Sequence, residues 1–215
     1  MALENNSDIG VITAIFGNYD LVPPIPNGFK ECVLISDIPI FSDWTNIVLK
    51  YEGNPVIGSK LPKFRPDLFC STNLSVWMDA NIRDPKDWLF ENSTKILEKS
   101  DFGLFAHPNR KSVKREIAES RKFSKYDSFP LEKQYEAYCQ QGFTDNVGLW
   151  ACGVIARRHT ERNAQFGNAW FVENVRWSIQ DQISFSYLVW KMDFQVETFD
   201  EKLWRSPLKF EKHKK

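Results

Sequence analysis

A repeated pattern of short apolar runs, each closed by a polar cluster, constrains the fold more than any other feature of this chain. Residues 9–16 are apolar and end at Gly17-Asn18, and residues 32–35 end at Ser36-Asp37. Residues 73–78 run into Asp79-Ala80-Asn81, residues 101–106 into His107-Pro108, and residues 148–156 into Arg157-Arg158-His159. Residues 46–50 and 194–199 supply two further strand candidates. Runs this short, bounded by turn residues, read as buried strands. Helical composition lies between and after them, over residues 112–123 and 130–141, from Thr160 to Trp177, and from 179 to about 192. Pro130 opens one helix and Gly142 follows it, while Thr160 and Ser178 sit at cap positions. Strands that alternate with helices predict one α/β domain over 1–215, a mostly parallel sheet covered on both faces. Its core spans about 9–200, with a tail from 201 to 215. In such sheets ligands bind at the carboxyl ends of the strands, where the polar clusters fall.

Charge excludes some partners. The 215 residues carry 28 Lys plus Arg against 28 Asp plus Glu, so no overall field draws the chain onto nucleic acid or an anionic membrane. One local exception is the tail from Lys209 onward, with four lysines and His213. It can make a peripheral membrane or phosphate contact, or be a frayed, solvated end. Cys32, Cys70, Cys139 and Cys152 form no Cys-x-x-Cys pair and read as buried free thiols in a reducing compartment. No leader pattern opens the sequence and no run is long enough to span a bilayer, which places the expected location in the cytoplasm.

The sharpest chemical motif is Ser75-Val76-Trp77-Met78-Asp79-Ala80-Asn81. If the chain stays extended, Asp79 and Asn81 project to one side and offer two oxygens to a hard cation, Mg²⁺ or Mn²⁺. The alternative is an ordinary strand-end turn. Asp181 and Gln182 follow Ser178, where the acid either completes a capping box or orients and deprotonates an acceptor hydroxyl, with Gln182 beside it. His107 and Arg110 can grip a phosphate or carboxylate, or belong to a plain polar loop. Trp150 can stack on a sugar or fill the core, and His159 can contact an acceptor or open a helix. Lys63 and Arg65 can pair with a diphosphate or sit in a solvated loop. Glu173 lies one turn before Trp177 and can face the same groove. A Cys152–His159 nucleophile pair is rejected, because Cys152 sits inside an apolar strand. Phosphate-loop, dinucleotide-fingerprint, zinc-protease and serine-hydrolase motifs are absent, and the three histidines lie far apart.

Taken in order, VITAIFGNYD, CVLISD, KFRPDLF, SVWMDANIR, HPNR, GLWACGVIARRHT and WFVENVRWSIQDQISF resemble a glycosyltransferase-like domain family, found in plant mucilage- and turgor-related proteins and in bacteria. The resemblance spans residues 9–190. It implies a GT-A fold and transfer of a sugar from a nucleotide-sugar donor, a UDP-sugar first, to a hydroxyl on a glycan, lipid-linked or protein acceptor, in polysaccharide synthesis. It also implies that Thr13, Phe16, Gly17 and Tyr19 shape the nucleoside pocket with Asp37 nearby. Asp79 and Asn81 then stand at an Asp-x-Asp-like metal position, and Asp181 and Gln182 at an acidic position near the reacting sugar. His213, the only downstream histidine, becomes the third metal ligand. Two other readings remain: a non-catalytic module of the same fold that holds a sugar nucleotide or glycan, and a hydrolase using Asp79 and Asp181 as a carboxylate pair.

Overall fold

A computed structural model describes residues 8–213. Among the described residues, nine strands and six α-helices follow one another. Strands β1 (Ile9–Ile15), β2 (Glu31–Ser36), β3 (Thr45–Val48) and β4 (Leu74–Met78) come first, then the two-residue β5 (Ile82–Arg83). Next are β6 (Phe102–Ala106), β7 (Trp150–Arg158), β8 (Glu197–Thr198) and β9 (Lys209–Phe210). Seven strands form one sheet in the order β3-β2-β1-β4-β7-β6-β8. All pairings in it are parallel except those of β7, which runs antiparallel to both β4 and β6. The expected α/β domain with a mostly parallel, Rossmann-like sheet is therefore present. β1 is buried along its whole length because strands flank it on both sides and helices cover both faces.

Strand periodicity divides the core into two layers. Ile12 and Ala14 of β1, with Phe16 just beyond it, face one cluster, with Phe64, Trp170 and Phe185, while Ile9, Val11 and Ile15 face the other, with Leu89, Ile96 and Phe105. Helices α1 (Pro55–Phe64), α3 (Val113–Ser120), α4 (Leu131–Gln140), α5 (Glu161–Arg176) and α6 (Asp181–Lys191) cover the first face, and α2 (Lys86–Lys99) the second. Thr160 caps α5 as expected, accepting from the Asn163 backbone N–H, and Ser112 caps α3 by accepting from the Arg115 N–H. Ser178 does not cap α6. Its hydroxyl donates to Gln134 Oε1 at 2.8 Å, and the helix starts three residues later.

Two helices lie where the sequence suggests none. α1 is opened by Asn54, whose side chain accepts from the Val56 N–H, and by Pro55 at the first position. Pro62 falls in the last turn, where it withholds one N–H from the helix. α5 then presses onto the end of α1 through Gly167, where a Cβ atom would sit 2.1 Å from the Phe64 carbonyl oxygen. Only a residue without a side chain permits that approach.

The tail also departs from expectation. Leu203 and Leu208 are buried, and β9 pairs with β5. Arg83 Nε donates to Glu211 Oε2 at 2.8 Å, and the Glu211 N–H donates to the Asn81 carbonyl at 2.9 Å. Up to residue 213 this segment is a docked strap, and only Lys214 and Lys215 of the basic run lie outside the described residues. No described helix is long and apolar enough to cross a membrane. All four cysteines are free; Cys70 and Cys152 are buried as expected, while Cys32 is half-buried and Cys139 exposed.

Candidate functional site

A cavity of about 660 Å³ opens at the carboxyl ends of β1 and β4, within the usual range for small-molecule sites. Its walls come from the turn after β1 (Phe16, Gly17, Tyr19, Asp20), from α1 (Ser59, Lys60, Lys63) and from the segment 125–129. Its floor comes from Trp77 and Asp79, from Cys152 and Gly153, and from the start of α6 (Gln180, Asp181, Gln182). His213 reaches the rim from the tail.

The turn after β1 depends on its glycine. Gly17 and Asn18 both adopt left-handed backbone, with φ of 62° and 53°, which favours Gly and Asn. Asp37 pins this turn by accepting the Gly17 N–H on Oδ2 at 2.8 Å. Asp37 thus shapes the cavity wall from behind without lining it. Thr13 lies deeper, wholly buried within β1, and also lines no part of the cavity. Phe16, Gly17 and Tyr19 do line it, as the sequence suggests.

The floor is a chain of alternating charges. Lys63 Nζ lies 3.2 Å from Asp79 Oδ1 and 2.7 Å from Asp181 Oδ2, and Lys60 Nζ lies 2.5 Å from Asp181 Oδ1. The Lys60, Lys63 and Asp181 side chains are at most 10% exposed, whereas Asp79 is 35% exposed to the cavity. Burial opposes the charge on Asp181, but Lys60 and Lys63 outweigh it and hold the carboxyl below the ordinary aspartate value. Burial likewise opposes the Lys63 ammonium, and Asp181 with Asp79 overcomes that and keeps the lysine charged. Lys60, with less compensation, is pushed below the ordinary lysine value by its burial. Asp181 is therefore held by two ammonium groups rather than completing a capping box.

A β-bulge supports this floor. Leu104 pairs with Ile155 but the next residue, Phe105, pairs with Ala151, leaving Cys152, Gly153 and Val154 unmatched against β6. Bulges of this kind recur beside functional sites. Here the Gly153 carbonyl accepts the Asp79 N–H at 2.8 Å, fixing the aspartate as it leaves β4. Trp77 Nε1–H donates to Asp79 Oδ1 at 2.6 Å. Cys152 also lines the cavity, and burial first, then the charge of Asp181, push its thiol well up, so it is no thiolate nucleophile.

The expected metal ligands do not converge. Asn81 is not beside Asp79, because the Ile82 N–H donates to the Asp79 carbonyl at 3.0 Å and turns the chain immediately. The rule that alternate residues share a side holds for extended chain only. Asn81 Nδ2 donates instead to the Glu211 carbonyl at 3.1 Å. His213 Nδ1 lies 2.8 Å from Asp20 Oδ1, with its ring beside Tyr19. Among the described residues no group of three or more His, Cys, Asp and Glu is placed to hold a metal ion. The oxygen of Asp79 nearest these groups already serves Lys63 and Trp77. The donor set present does not fit the three-ligand cation site that the sequence suggests.

Several other candidates lie away from the cavity. Because β7 is antiparallel, its carboxyl end falls at the opposite edge of the sheet, and His159 meets Ser75 Oγ at 2.8 Å there. Trp150 is buried edge-on against Phe185. Glu173 is buried and accepts from the Tyr138 hydroxyl at 2.6 Å. Arg65 turns outward to Asp67 and Asn168. His107 Nδ1 accepts the backbone N–H groups of Asn109 and Arg110, and burial, then the Arg110 charge, push its pKa from 6.5 down to about 4. Arg110 pairs with Glu116, which also accepts from Gln180 at 2.8 Å. This loop braces the residue before Asp181, and Arg110 edges a hollow of about 110 Å³ that shares Lys125, Tyr126 and Gln180 with the main cavity.

Sequence reasoning missed Lys60, Lys125 and Tyr126. A signal for Lys60 existed: it precedes Lys63 by three residues, the spacing of one helix face, after an Asn-Pro helix start. The profile of one family, described as TOD1/MUCI70, glycosyltransferase-like domain, matches residues 42–213, from before β3 to the tail histidine. The chain belongs to this family. The match includes α1 with both lysines, Asp79, Asp181 and the docked strap, and starts downstream of the β1 turn. No individually curated protein matches the chain. The family's description points to sugar transfer as the class of chemistry.

Proposed function

We propose that this chain is a glycosyltransferase that takes its sugar from a nucleotide-sugar donor, a UDP-sugar first, and passes it to a hydroxyl of a glycan, lipid-linked or protein acceptor. The supporting observation is the cavity at the carboxyl ends of the parallel strands, floored by Asp79, Lys63, Asp181 and Lys60 in alternating charge. In this reading Phe16, Gly17 and Tyr19 wall the nucleoside, and the buried ammonium groups meet the charge that develops on the departing diphosphate. Asp181 and Gln182 face the sugar and the incoming hydroxyl. Asp181, held ionised by two lysines, acts by accepting a hydrogen bond and orienting that hydroxyl. Gln182 Oε1 has no partner within the described residues and lies on the cavity wall, free to take a donor from substrate. The hollow beside Gln180 and Lys125 gives the acceptor an approach.

The same locking of Asp181 favours one second reading, a module that binds a sugar nucleotide or glycan without turning it over. A hydrolase reading loses Asp181 as its proton donor, since a carboxyl held below its ordinary value is a poor general acid. Release of nucleoside diphosphate from a panel of nucleotide sugars separates the readings. A transferase releases diphosphate with at least one donor, and Gln182→Leu and Asp79→Asn slow that release while the fold is kept. Tight donor binding with no release under any acceptor leaves the module.

A further inference from the structure

We propose that Lys63, backed by Lys60, is the resident cation of this cavity, and that the chain binds the diphosphate of its ligand without a divalent metal. The inference rests on the nucleotide reading above and specifies how that site meets its charge. A divalent ion on Asp79 would have to lie about 2.1 Å from a carboxylate oxygen. One of those oxygens already carries the Lys63 ammonium at 3.2 Å and the Trp77 N–H at 2.6 Å. A dication there would face the buried ammonium groups of Lys63 and Lys60 at short range with like charge. Among the described residues no group of three His, Cys, Asp and Glu gathers to complete its shell; Asn81 Nδ2 donates to the Glu211 carbonyl and His213 Nδ1 meets Asp20.

The lysines are held in place by the fold. They lie three residues apart on α1, one face of the helix, whose start is fixed by Asn54 and whose end is clamped by Gly167 of α5. Asp181 binds both ammonium groups from below, so they stay ordered before any ligand arrives. The first turn of α6, eleven residues long and without a side-chain cap, adds backbone N–H groups at the same wall. Lys63, tethered between two carboxylates, offers its one remaining N–H to a phosphate oxygen.

Isothermal titration of UDP, GDP, ADP and inorganic pyrophosphate into the full chain, first in EDTA and then with Mn²⁺, tests this. The expected result is that the ligand that binds does so in EDTA, with a Kd within about twofold of its value in Mn²⁺. Lys63→Met should weaken it about tenfold or more, the worth of one charge-assisted hydrogen bond, and Lys63→Arg should restore part of that. Binding that appears only with Mn²⁺ overturns the proposal and leaves the nucleotide reading standing. If no diphosphate binds in either condition, the nucleotide reading itself fails, and this proposal with it. Should Lys63→Met not fold, the comparison of EDTA with Mn²⁺ in the unaltered chain decides alone.

Discussion

Replacing Asp181 by Asn removes one negative charge that two buried ammonium groups share, at 2.5 and 2.7 Å. Lys63 retains only Asp79, at 3.2 Å, and Lys60 retains no carboxylate among its ion pairs. Deleting one partner of a buried pair costs about 3–5 kcal/mol, because the remaining charge stays desolvated. In a domain of this size each kcal/mol shifts Tm by about 2–4 °C, so Asp181→Asn should lower Tm by roughly 6–20 °C. The lower part of that range is favoured by Lys60, whose pKa already lies below the ordinary lysine value and which can shed its proton. Adding Lys60→Met should therefore recover part of the loss, with a coupling of at least about 1 kcal/mol. The pH dependence has a definite sign. Asp181 is depressed in the fold, so its contribution is present above the unfolded aspartate value and disappears as pH falls through the folded one. Urea unfolding of the three variants against the unaltered chain, at neutral and at acid pH, measures all of this. A single mutant within about 1 kcal/mol of the parent at neutral pH, or a double mutant no better than the sum of its parts, refutes the reasoning.

Other outcomes follow from separate features. Gly167→Ala puts a methyl group against the Phe64 carbonyl and should cost several kcal/mol, read as a large fall in Tm or loss of soluble protein. Tyr138→Phe removes the donor that Glu173 accepts from inside the core, and should destabilise by about 1–3 kcal/mol in chemical unfolding. His107 has a folded pKa lowered from 6.5 to about 4, so the unfolded chain binds its proton first on acidification. Its contribution to stability is present above 6.5 and is lost as pH falls from there towards 4; His107→Asn should flatten that part of the stability–pH profile.

Much of the frame was legible because burial on both faces makes a strand apolar throughout. β1, β4 and β6 announce themselves this way; β4 and β6 end directly before their polar clusters, and β1 ends one residue short of its own, with Phe16 between. The direction of β7 was not legible. Periodicity tells a strand from a helix but not which way it runs between neighbours, and that put His159 at the wrong edge of the sheet. α1 was hidden because Gly58 and Pro62 weaken its local helical signal, and because its lysines point inward, against the habit of charged side chains. α2 carries Leu89, Ser93, Ile96 and Leu97 at helical spacing, a signal that attention to strands passes over. At the site, Asp79, Asp181, Gln182 and Lys63 stood out by motif position, while the pocket residues of the turn after β1 came only from the family resemblance. Asn81, Thr13 and Glu173 do not sit where the sequence suggests, since a single early turn or one strand step decides whether a side chain meets the cavity; Asp37 lies near the β1 turn as expected, behind the cavity wall.

The central claim is that this cavity receives a sugar nucleotide. Thermal unfolding of the chain with each common nucleotide sugar, present at about a hundredfold excess over its Kd, tests it most directly. Ligand at that excess adds about 2.7 kcal/mol, so at least one donor should raise Tm by roughly 5–10 °C, and Tyr19→Ala should diminish the rise. If every donor moves Tm by less than about a degree at millimolar concentration, the cavity is not a nucleotide-sugar site.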